Sequence, residues 1–144
     1  RGRIAMIGRP IVQLALLVAL ASPSAADEPK AFNCTFTEGV THSYSNGAFI
    51  AEKASPLTFG ISAIDTKAQS AELKTRGGTG QLRIVQAVNA MHFLEVVTEG
   101  FLNLTTVYDK DDAKGAYPAV HSRHFGLFGQ PLVTQYQGYC EATG

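Results

Sequence analysis

Apolar and polar residues alternate with a period of two along most of this chain. Phe32, Cys34 and Phe36 fall on one face, as do Leu57, Phe59 and Ile61, then Leu82 and Ile84, then Leu102 and Leu104. That period is the mark of an extended strand, whose successive side chains point to opposite sides. Ten strands are predicted, over residues 32–37, 40–45, 48–53, 57–64, 70–76, 81–88, 91–98, 101–108, 119–125 and 132–140. Turn signals separate them. Asn46-Gly47 supplies two residues suited to positive φ in a two-residue hairpin. Glu38-Gly39, Asn89-Ala90 and Glu99-Gly100 sit at similar junctions, and RGGTG (Arg76 to Gly80) makes a looser one. One stretch reads both ways. In residues 65–74, Asp65 or Thr66 would cap a short helix carrying Ala68, Ala71 and Leu73, and a strand fits equally well.

Turns recurring every eight to twelve residues or so are the rhythm of an antiparallel meander. The expected fold is therefore all-β, a small meander closing into a barrel, with a two-sheet sandwich as the alternative. A chain of so many short strands has to protect its edges, and closure does so.

The two cysteines change this picture most. Cys34 lies in the first predicted strand and Cys140 in the last. In an oxidising compartment an isolated pair has one connectivity, so a disulfide is expected to join the two ends of the meander. Such a compartment is indicated by the opening stretch. Arg1, Arg3 and Arg9 precede an apolar run from Ile11 to Ala21, and Ser22, Ser24, Ala25 and Ala26 follow it. This is the layout of a secretory leader, with cleavage expected after Ala26. The run is about half of the roughly 20 residues that a spanning helix needs, so no membrane span is expected after cleavage.

The expected organisation is a leader over residues 1–26 and a single barrel domain over 27–144, in a periplasmic or secreted protein. Losing three arginines and no acid leaves nine Lys and Arg against twelve Asp and Glu. A mildly acidic domain without a basic cluster is a poor nucleic-acid binder. One domain of this length can bury a core.

Several chemistries fail on spacing. Gly77, Gly78 and Gly80 lack the Lys-Ser/Thr and the helix of a phosphate loop. The acidic loop DKDDAKG (Asp109 to Gly115) breaks the calcium-loop order at Ala113. Asn33-Cys34-Thr35 and Asn103-Leu104-Thr105 match a glycosylation pattern, yet both lie inside predicted strands.

The stretch YPAVHSRH (Tyr117 to His124) is the densest in reactive residues. On a strand, His121 and Arg123 face one way and Ser122 and His124 the other. That arrangement separates the two imidazoles and leaves Ser122 without a base. No residue is assigned a catalytic or metal-binding role, and no cofactor is implied. His121 and Arg123 would form a cationic spot for a carboxylate or phosphate. The alternative pairs Arg123 with a cross-strand acid such as Glu95. Phe125 and Phe128 in FGLFGQP make a second candidate contact surface.

FLNLTTVYD (Phe101 to Asp109), AVHSRH (Ala119 to His124) and QYQGYC (Gln135 to Cys140) resemble, in this order, a group of short exported proteins of alphaproteobacterial genomes. The resemblance implies a bacterial envelope setting and carries over no catalytic residue. In layout the chain is also similar to the periplasmic lysozyme inhibitors, but YSNG (Tyr44 to Gly47) departs from their serine-glycine loop beside a tyrosine.

Two functional readings result. The first is a protein-binding module of the envelope, its partner another envelope protein. The second is a carrier of a small anionic ligand in the barrel mouth, with His121, Arg123, Phe125 and Phe128 as contact residues. A metal-dependent or hydrolytic enzyme at HSRH is a third reading.

Overall fold

The computed structural model describes residues 28–97, 100–126 and 129–144, and Gly2. The expected leader over residues 1–26, Gly2 apart, and Phe128 lie outside them. The described chain forms nine strands: β1 (Phe32–Ser45), β2 (Ala48–Lys53), β3 (Leu57–Asp65), β4 (Ser70–Thr75), β5 (Gly78–Gln86), β6 (Ala90–Val97), β7 (Phe101–Tyr108), β8 (Tyr117–Phe125) and β9 (Leu132–Ala142). All neighbours are antiparallel, in the order β2-β1-β3-β4-β5-β6-β7-β8-β9, and β1 also pairs with β9. Eight strands thus close into a barrel with β2 added outside it.

Closure rests on β1. Residues predicted as two strands form one, because Glu38 and Gly39 stay extended, paired with Gln137 and Tyr136, and the β9 register shifts at a bulge on Thr37. The first half of β1 pairs with β3, Phe32 opposite Ile61 and Phe36 opposite Leu57. Its second half pairs with β2, from Val40 opposite Lys53 to Ser45 opposite Ala48. Asn46 and Gly47 form the turn between them with φ of 51° and 83°, the left-handed pair this hairpin demands. Along its whole length β1 keeps β9 on its other side, from Phe32 opposite Ala142 to Ser43 opposite Leu132.

Cys34 and Cys140 face each other in that register and are disulfide-bonded. A bridge closing about a hundred residues stabilises by about 4 to 5 kcal/mol through the unfolded chain.

The ambiguous segment becomes a turn followed by β4. Asp65 does cap, its Oδ1 accepting from Lys67 N at 3.0 Å and Ala68 N at 2.9 Å, but the chain then extends instead of continuing as a helix. With Ala71 and Leu73 packing into the core, a strand buries both, and tertiary packing overrides the local cap.

Phe32, Phe36, Ile61, Ile84, Phe93 and Val107 are all at most 1% exposed and fill the barrel around the disulfide. Each buried side chain of this size contributes about 1.5 to 3 kcal/mol. At the base, Glu28 accepts hydrogen bonds from Thr66 Oγ1 at 2.8 Å and Gln86 Nε2 at 3.4 Å, drawing the start of the described chain across that end.

The alternation misleads on β7. Leu102 and Leu104, which share the apolar side of that alternation, face outward, and Leu102 is 41% exposed. Asn103, Thr105 and Val107 face inward, because they pair with Glu95, Phe93 and Met91 of β6 and with Arg123, His121 and Ala119 of β8.

Two consequences can be measured. Gly138 sits on the seam where a Cβ would run into the Thr35 carbonyl oxygen and lie 2.8 Å from Phe36 Cα, so Gly138→Ala should lower unfolding free energy by about 2 to 4 kcal/mol. A urea midpoint within error of wild type would show the seam to be compliant. Reduction of the disulfide should lower stability by about 4 kcal/mol, read from urea curves with and without reductant.

Candidate functional site

Among the described residues the lower barrel is filled and the end where β1 leaves β3 is open. Two ladders stop short there. β5 pairs with β6 only from Arg83 opposite Leu94 to Gln86 opposite Met91. Above that level residues 78–82 pair only with β4, and residues 95–97 only with β7. Beyond Phe36, β1 pairs with β2 instead of β3. The two walls therefore part, and a cavity of about 370 Å³ opens between them.

The walls differ in chemistry. The β3-β4-β5 wall contributes Leu57, Phe59, Leu73 and the backbone of Gly77 to Gly80. The opposite wall carries successive cross-strand rows. The deepest joins Phe93, Thr105, His121 and Tyr136. Above it runs Glu95, Asn103, Arg123, Thr134 and Thr41. At the rim come Val97, Phe101, Phe125 and Leu132. A period of two places these side chains on the inner face together, one pleat apart.

His121 forms the floor. It is 6% exposed, ringed by Phe36, Phe59 and Tyr136 with centroids 5.1 to 6.0 Å away. Its Nδ1 hydrogen-bonds Thr105 Oγ1 at 2.8 Å, which leaves Nε2 for the cavity. Burial, and then the Arg123 guanidinium, lower its pKa from 6.5 to about 4, so the ring is neutral near pH 7.

In the second row, Asn103 Nδ2 donates to Glu95 Oε2 at 2.8 Å. Asn103 Oδ1 is buried without a hydrogen-bond partner. Glu95 Oε1 lies where a Cβ on Gly80 would be 2.7 Å away, so a side chain there would push the carboxylate aside. Thr41 and Thr134 hydroxyls hydrogen-bond at 2.9 Å and close the far end of the row. Arg123 is exposed at the mouth.

Of the residues that the sequence singles out, His121 and Arg123 both line the cavity. Ser122 and His124 face outward; Ser122 stands opposite Leu104 and Gln135, neither of which is a base. The expected cross-strand pair of Arg123 with Glu95 does not form, because Asn103 stands between them. Phe125 packs on Phe101 at the rim, with ring centroids 4.4 Å apart, and Phe128 lies outside the described residues. Among the described residues no three His, Cys, Asp or Glu side chains are placed to share a metal ion.

Sequence reasoning missed the roles of Glu95, Asn103 and Gly80. A signal for Glu95 exists: Phe93, Glu95 and Val97 share a face, and a lone carboxylate on an apolar strand face calls for a partner. Compared with family models and with curated proteins, the chain matches none.

The buried imidazole gives a pH dependence of defined sign. The unfolded chain takes up a proton on His121 near pH 6.5, whereas the folded protein resists until about pH 4. The unfolded state therefore binds more protons in that window. The contribution is whole above pH 6.5, is lost as pH falls, and is exhausted near pH 4, on the order of 3 kcal/mol in all. His121→Gln should remove this part of the slope in urea titrations from pH 7 to 4; an unchanged slope would contradict the assignment.

Proposed function

We propose that this protein is a small-molecule binder of the bacterial envelope that takes a ligand bearing an acidic group into the barrel mouth. The carrying observation is the cavity of about 370 Å³ with an apolar wall on one side and inward polar side chains on the other. Ligand sites have this size and mixture, a mostly apolar lining with a few convergent polar groups. Arg123 supplies the fork that pairs with a carboxylate, sulfonate or phosphate oxygen. Leu57, Phe59 and Leu73 receive the apolar body, and His121 offers one nitrogen from below.

The inward polar residues support this reading over a purely structural interior, since a strand that only fills a core turns its leucines in. On β7 the leucines are outside and Asn103 and Thr105 inside. The disulfide and the leader-like opening support an exported setting.

A protein-binding role is the second reading, and one observation favours it. The β1–β2 hairpin exposes Tyr44 and Phe49 side by side on one face, with Phe49 60% exposed and the ring centroids 5.0 Å apart. Such a patch fits another envelope protein.

The dye 8-anilinonaphthalene-1-sulfonate, an anionic head on an aromatic body, discriminates the two. It should bind saturably with one site per chain, and Arg123→Ala should weaken it about fivefold while moving the melting temperature by no more than about 2 °C. Equal binding by wild type and Arg123→Ala would remove the mouth reading. Loss of the dye site in Phe49→Ser, with Arg123→Ala unaffected, would shift it to the hairpin.

A further inference from the structure

The row Glu95, Asn103, Arg123 defines more than an anion site, and its chemistry deepens the ligand-binding reading, on which it rests. These three residues stand on adjacent strands in one register, acid and guanidinium separated by a single amide. A ligand carrying only negative charge would meet Arg123 attractively and Glu95 repulsively across a small, partly desolvated cup.

Glu95 and Asn103 orient each other. Glu95 is held on one oxygen by Asn103 Nδ2 at 2.8 Å, and its other oxygen lies against Gly80. Asn103 commits its amide nitrogen to Glu95, and its own carbonyl oxygen is buried out of a ligand's reach. One end of the row is therefore the Glu95 carboxylate, an acceptor suited to an ammonium. The other end is Arg123, a donor fork. Facing both are Leu57, Phe59 and Leu73.

We infer that the ligand of the mouth is a zwitterion with an apolar body, its ammonium held by the Glu95 carboxylate and its carboxylate by Arg123. A free apolar or aromatic amino acid and a short peptide share this chemistry. Adjacent strands lie about 4.8 Å apart, so Glu95 and Arg123 are separated by roughly 10 Å at the backbone.

Displacement of 8-anilinonaphthalene-1-sulfonate by four probes of similar body tests the inference: L-phenylalanine, glycyl-L-phenylalanine, 3-phenylpropionate and phenethylamine. At least one of the two zwitterions should bind tenfold or more tightly than both single-charge analogues, and the tighter of the two identifies the source. Glu95→Gln, which keeps the acceptor for Asn103, should weaken the zwitterion about tenfold and tighten the sulfonate dye. That opposite sign separates a charge contact from a structural effect. If 3-phenylpropionate competes as well as the best zwitterion, or if none of the four displaces the dye, the zwitterion assignment is overturned while the mouth reading stands on the dye. If the dye itself shows no Arg123-dependent site, both fall together.

Discussion

Everything in this fold depends on β1 keeping β9 at its side over its full length while exchanging its other partner from β3 to β2. A strand can do this only if it bends, and the bulge between Phe36 and Glu38 supplies the bend. The disulfide lies on the β3 side of that bulge, inside the closed part of the barrel, where Cys34 and Cys140 are fully buried among Phe32, Phe36 and Ile61. Beyond the bulge, β1 leaves the barrel and continues as a free-standing wall with β2 and the start of β9. Closure and opening are thus two halves of one strand.

The same geometry explains why polar side chains point inward only near the top. In the lower barrel the inward positions are filled by Phe32, Ile84, Phe93 and Val107, each at most 1% exposed. Higher up the walls diverge, so Glu95 and Arg123 can face the interior and still reach solvent. His121 lies on the boundary between these regimes, its lower surroundings aromatic and its upper side open to the cavity. Its lowered pKa reflects that position.

Much of the architecture is legible in the residues themselves. The Asn46-Gly47 hairpin, the strand positions, the pairing of the two cysteines and the opposite facing of His121 and His124 all follow from local rules, because turn chemistry and period-two alternation act over a few residues. Glu38-Gly39 reads as a turn because what holds these residues extended is pairing with Gln137 and Tyr136, and that strand comes from the far end of the chain. Leu102 and Leu104 mislead because alternation reveals that two faces differ without saying which is inside. The β7 register with Glu95 on one side and Arg123 on the other settles it, and both partners are remote in sequence. For the same reason Asn103 reads as a glycosylation motif and not as the middle of a charged row.

The early end of the β5–β6 ladder has a mechanical corollary. Above Arg83 and Leu94 no main-chain bonds cross between these strands, so the gap between them can widen or narrow by flexing about that last rung without disturbing the packed interior below. The lower barrel is laced by main-chain ladders all the way round, while at the mouth the two walls face each other through side chains alone. The width of that gap is therefore uncoupled from the ladders and the packed core that hold the fold together.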